Sequence, residues 1–188
     1  MCFDASPWGV GGFLVVNGVP VSWFATRFTD YDEKTVGIKF GTSASQQVAE
    51  SQAILFGLRT WEPHWVEKAP RLEVRSDSVS ALSMVARMQS TSPHIAFVAR
   101  EIALSLSKSC IRPAVVEYTP GVANGLADAL SRRFQPGASW CLPSALKAVP
   151  EQAIVRSADY YRTAASIAQC TSTPAVRNVS CGELPSSS

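Results

Sequence analysis

Residues 12 to 24 read GFLVVNGVPVSWF. Two runs rich in β-branched and aromatic side chains flank Asn17-Gly18, and an Asn-Gly step supplies the positive φ angles of a two-residue turn, so the stretch predicts an antiparallel hairpin. Phe3-Asp4-Ala5 predicts a short strand just before it. After it, residues 29–44 are polar and Gly-bearing and predict a loop. From about Ser45 to Trp61 the period changes. Glu50, Ala53, Ile54, Gly57, Leu58 and Trp61 fall on one helical stripe, with Ser45 a candidate N-cap and Pro63 a stop. Leu72 and Val74 alternate with Arg71, Glu73 and Arg75 as in a half-buried strand, and Ser76-Asp77-Ser78 leads into a short helix over about 79–88. Pro93 opens a helix over roughly 94–107. Residues 114–118 predict a last strand, followed by the turn Thr119-Pro120-Gly121 and a helix over about 123–133. This order implies an α/β fold: a mixed five-stranded sheet, three antiparallel strands and then parallel strands, flanked by helices.

The organisation expected is one domain over 1–133, a connector over 134–170 carrying a candidate amphipathic helix near 151–169, and a Ser- and Pro-rich disordered tail over 171–188. The 46% hydrophobic content suits a packed core. A formal net charge of +2 neither supports nor excludes a nucleic-acid role. The cysteines at 2, 110, 141, 170 and 181 show no CxxC pair, so reduced thiols and an intracellular setting, cytoplasmic or nuclear, are expected. No apolar run is long enough for a membrane span. The sequon at Asn178 is then expected to be a chance match.

Four acidic residues invite two readings each. Glu50 lies on a stripe that should face the core, where an unpaired carboxylate costs several kcal/mol unless a metal ion or another partner compensates it. Alternatively, it serves the helix dipole with its side chain in water. Asp77 follows a strand and precedes a helix, which suits either a helix cap or a ligand-binding group at the carboxyl end of a parallel strand. Asp4 sits inside a strand expected near the middle of the sheet, a disfavoured place for Asp without a role, or else at a solvated edge. Asp128 shares a helix face with Asn124 and Ser131, which a solvated polar surface would explain equally well.

Together these residues resemble the ribonuclease H family, in the version carried by gypsy- and DIRS-type retroelement reverse transcriptases. DASPWGVGG at 4–12 is similar to the family's first-strand Asp with its Gly-rich turn, ESQAILFGL at 50–58 to its acidic helix, and RSDSVSAL at 75–82 to its strand-to-helix Asp. TPGVANGLADALSRR at 119–133 is the closest match, and the motifs follow in the family's order over about residues 2–133. The resemblance implies that Asp4, Glu50, Asp77 and Asp128 are catalytic carboxylates holding two Mg2+ or Mn2+ ions. It implies a substrate, the RNA strand of an RNA:DNA hybrid, and a partner, the polymerase module of a parent polyprotein. Nucleic-acid contacts would come from Ser6, Gly9 and Gly11 around the Gly-rich turn, with Ser78 and Asn124 as further contacting groups.

Two positions depart from the family pattern. Neither His64 nor His94 falls in the loop before Asp128, where many cellular relatives carry a histidine. Only three residues precede Asp4, so an N-terminally shortened first strand is expected, with fewer ladder hydrogen bonds beneath that ligand. A catalytically inactive module that binds nucleic acid or connects other domains is the alternative. A transposase or integrase core would carry Glu at the final acid, unlike Asp128 within ADALSR.

Overall fold

The computed structural model describes residues 1–65, 71–109 and 113–163. The expected disordered tail, the sequon and the cysteines at 110, 170 and 181 lie outside them. Five strands form one sheet: β1 (Cys2–Ser6), β2 (Gly9–Val16), β3 (Val19–Thr26), β4 (Leu72–Ser76) and β5 (Pro113–Tyr118). Their spatial order is β3-β2-β1-β4-β5, with β1, β2 and β3 antiparallel and β4 and β5 parallel to β1. The hairpin turns at Asn17 (φ 52°) and Gly18 (φ 81°), the two positive angles its sequence predicts.

β1 is the central strand. All five of its residues pair with β2, from Cys2 opposite Phe13 to Ser6 opposite Gly9, but only Cys2 pairs in register with β4, opposite Arg75. The Met1 ammonium donates to the Glu73 carbonyl and the Arg75 amide to the Met1 carbonyl, so the parallel ladder is short. The Gly-rich stretch is not itself a turn. Gly9–Val16 is strand, and Pro7-Trp8 makes the reversal.

Helices α1 (Asp30–Val36), α2 (Gln46–Thr60), α3 (Val79–Arg87), α4 (Pro93–Lys108) and α5 (Gly125–Ser131) flank the sheet. α2 is buried along its whole middle, from Val48 to Leu58. One side carries the predicted stripe, and the rest is covered by α4 and the chain after residue 150. Phe3 of β1 seats this helix, because a Cβ at Gly57 would lie 2.2 Å from its ring. Phe3, Phe24 and Trp61 then close a core cluster at 5.4 to 6.4 Å between ring centroids. On the other face, a Cβ at Gly11 would lie 2.4 Å from Leu130 Cβ, so glycine lets α5 rest directly on β2. Phe13, Trp23, Leu130 and Leu146 form a second core there.

Two sequence expectations fail. Residues 29–44 are not all loop: Thr29 and Asp32 form a reciprocal capping box that starts α1, and Gly37 in the left-handed conformation ends it. A short polar helix with Asp in place of the usual Glu carries too weak a period to stand out. Residues 151–161 are not helical either. Glu151 bridges β3 at Trp23, where the Pro150 carbonyl and the Gln152 amide complete the edge, and the chain continues as an irregular strap through a turn at 158–160 to Tyr161, which is fully buried. Its backbone is spent on covering an edge strand and its side chains on α1, α2 and α4, so tertiary contacts override its helical spacing.

Candidate active site

α2 begins with its first turn beside the carboxyl-terminal half of β1, and the turn after β4 lies next to both. This brings Asp4, Glu50 and Asp77 together, each offering one carboxylate oxygen within 4.8 Å of the others. The structure excludes the solvated or capping readings of Asp4, Glu50 and Asp77. Asp4 is 5% exposed on the central strand, so it is not a solvated edge residue. Glu50 is the fifth residue of α2 and 6% exposed, so neither the first turn nor water accounts for it. Asp77 is not the cap of α3, because Ser78 takes that place and its hydroxyl accepts from the Ala81 amide. Asp77 is left half-buried, with the Thr119-Pro120-Gly121 turn against it: a Cβ at Gly121 would lie 3.2 Å from Asp77 Oδ2.

Asp128 differs. Its side chain is 42% exposed and accepts from Arg132 Nε at 2.6 Å, one helical turn on. It stands outside the three-acid group, although its charge still acts on Asp4. The polar face it was expected to share is not solvated, because Asn124 and Ser131 are both buried. Asn124 donates to the Phe3 carbonyl at 2.9 Å, and Ser131 donates to Asp4 Oδ2 at 2.6 Å with the Asp128 carbonyl a second acceptor. Ser6 donates to the Ser131 carbonyl at 2.8 Å. Ser6 and Asn124 therefore dock α5 onto β1 and present no surface to a nucleic-acid strand. Gly9 and Gly11 are buried too, where a Cβ would meet the Thr26 carbonyl or Leu130. Of the expected nucleic-acid contacts, Ser78 alone keeps partial exposure.

The electrostatics follow from burial without a cation at the centre. Desolvation, then the charges of Asp4 and Asp77, push Glu50 up to about 8, against the hydrogen bond from Gln46. Asp4 is pushed up to about 6, again first by burial, with the Ser131 bond opposing and Asp77 and Asp128 adding. Among the described residues Glu50 Oε2 is buried with no hydrogen-bond partner, and native proteins satisfy such an atom with an ion or water. An all-oxygen set of three close carboxylates, one with an oxygen unspent, fits a hard divalent cation such as magnesium or manganese.

Sequence reasoning missed three residues here. Gln46 Nε2 donates both to Glu50 Oε1 at 2.8 Å and to the Ala5 carbonyl at 2.7 Å. Its i, i+4 spacing from Glu50 was a readable signal. The i, i+4 spacing of Arg132 from Asp128 was another. The reach of Ser131 to Asp4, 127 residues away, has no local signature.

Residues 33–134 match the family model described as Reverse transcriptase-like. The chain belongs to the reverse transcriptase-like family. The family match contains Glu50, Asp77 and Asp128, while Asp4 and the strap after residue 134 lie outside it. Among solved structures the fold is similar to that of ribonuclease H1 from the halophilic archaeon Halobacterium salinarum, with a TM-score of 0.53 over 69% of this chain and 90% of that one, at 18% identity. The mixed sheet and its flanking helices are thus a ribonuclease H fold. A comparison with curated proteins finds no match. No described helix is long and apolar enough to cross a membrane.

Proposed function

We propose that this family domain hydrolyses the RNA strand of RNA:DNA hybrids, using divalent metal ions held by Asp4, Glu50 and Asp77. The observation that carries the proposal is the three-acid cluster, with Asp4 and Glu50 buried and Glu50 Oε2 unsatisfied among the described residues, at the carboxyl end of a parallel strand. A pair of Mg2+ or Mn2+ ions in such a site supplies an activated water and stabilises the leaving oxygen of an in-line displacement at phosphorus. The chain's own residues do the rest. Glu50, whose pKa burial raises to about 8, would give up its proton on taking a ligand role. Asp128 would complete the ligand set in place of its contact with Arg132, which is exposed and therefore cheap to break. Ser78, beside Asp77, is the group best placed to meet the nucleic acid. The ADALSR motif and the family match support an origin in a retroelement polyprotein, with a polymerase module as partner.

The Asp128–Arg132 pair also favours a second reading, in which the fourth ligand stays captured and the domain binds hybrid without cutting it. Incubation with labelled RNA:DNA hybrid and with duplex DNA, in magnesium and in manganese, separates the two. Internal cleavage of the RNA strand by the wild type, lost in Asp77→Asn, is the expected result. Equal cleavage by the variant removes Asp77 from the mechanism, and retention of hybrid without any cleavage selects the second reading.

A further inference from the structure

The two buried carboxylates of the cluster are each held by one neutral side chain. Gln46 holds Glu50 by Oε1, leaving Oε2 buried and unspent. Ser131 holds Asp4 by Oδ2, the one side-chain hydrogen bond that either Asp4 oxygen receives among the described residues. Both donors are also tied to the frame. Gln46 reaches the Ala5 carbonyl on β1, and Ser131 lies near the Asp128 carbonyl while its own carbonyl accepts from Ser6. Each carboxylate is thereby fixed in rotation, with one oxygen spent and the other turned free.

We propose that Gln46 and Ser131 are positioning residues that orient Glu50 and Asp4 for a divalent cation. They do so without placing a positive charge that would compete with it. A lysine or arginine at either place would pair with the buried carboxylate and compete with the ion for it. A purely packing role does not explain Gln46, which is half-exposed yet uses both amide hydrogens on Glu50 and β1. Partners of this kind typically change metal affinity by about 10- to 100-fold when removed. The inference rests on the proposed metal-dependent reading of the site.

The test is calorimetric titration of the wild type, Ser131→Ala and Gln46→Leu with Mn2+ alone, with no nucleic acid present. Ser22→Ala is the control: it strips a buried hydrogen bond from the Trp61 indole in the core, away from the carboxylates. Both positioning variants are expected to bind Mn2+ about tenfold or more weakly, while Ser22→Ala loses melting temperature but keeps wild-type affinity. Gln46→Leu, at a half-exposed site, preserves the test if Ser131→Ala fails to fold. Wild-type affinity in the variants overturns the positioning role and leaves the metal-dependent reading standing. Weakening in Ser22→Ala as large as in the other two also overturns it, since general loosening then explains the effect. A wild type that binds no Mn2+ overturns both.

Discussion

Four buried carboxylates gather around α2, and the protein treats them in two opposite ways. On the side facing α1 and α4, Asp32 and Glu101 are fully buried and each has its own arginine. Arg156 pairs with Asp32 at 2.7 Å and Arg59 with Glu101 at 2.5 Å. Asp32 further accepts from Thr29 and from the Tyr161 hydroxyl, and Glu101 from the Arg162 and Thr163 amides. At the amino-terminal end of the same helix, Asp4 and Glu50 are nearly as buried, face a third acid, and receive one neutral side-chain hydrogen bond each. The first pair completes itself within the chain. The second has no cationic side chain in hydrogen-bond contact among the described residues, and that difference, more than the acidity of the residues, supports the proposed metal-binding role.

Four perturbations should act differently on the two pairs. Arg156→Met should have the largest effect, because it leaves a fully buried Asp32 without its charge partner. A loss of about 3–5 kcal/mol in chemical denaturation is expected, and a loss under about 1 kcal/mol would mean that the network does not depend on its arginine. Raising pH should act on the other pair. The folded pKa of Glu50 is raised above its ordinary 4.5, so its stabilising contribution is complete below that pH and is lost as pH rises through about 8. Asp4 follows the same sign, its contribution being lost between its ordinary 3.8 and about 6. Between pH of about 6 and about 8, where only Glu50 titrates, metal-free protein should therefore lose on the order of 3 kcal/mol, a loss absent in Glu50→Gln. A flat stability profile between those limits would contradict the burial of these acids.

Manganese at neutral pH should restore stability by about 2.7 kcal/mol at a hundredfold excess over its dissociation constant. The same gain is expected in Arg156→Met but not in Asp77→Asn, which thermal melts with and without metal can compare. Smallest of all, Arg132→Ala should change stability by about 1 kcal/mol or less, since its pair with Asp128 is exposed. A larger loss would show that the pair is structural and that Asp128 is not free to join the site.

Much of this architecture is legible locally. Asn17-Gly18 announces the hairpin, and the stripe from Glu50 to Trp61 announces the face of α2 that meets the sheet. The opposite face of α2 is not legible, because Gln52 and Phe56 are buried against Tyr161 and Tyr160 of a strap more than 100 residues later in the chain. That strap itself carries a helix-like spacing of Ile154, Tyr160 and Tyr161, yet it is extended where it pairs with Trp23. Ser6 and Asn124 have the composition of surface contacts and turn out to be internal fasteners. Their polarity is visible in the sequence, but the direction each side chain faces depends on how closely Gly11 lets α5 approach.

By itself the sequence determined which residue types alternate and where the chain turns, because those depend on neighbours within a few positions. It therefore contained the five strands, four of the five helices and the identity of the acids. Tertiary structure alone decided which acids meet, which oxygens are spent and which charges are already paired. Those outcomes rest on contacts such as Ser131 to Asp4 and Arg156 to Asp32, separated by 127 and 124 residues, and on the exclusion of water that only the closed fold imposes.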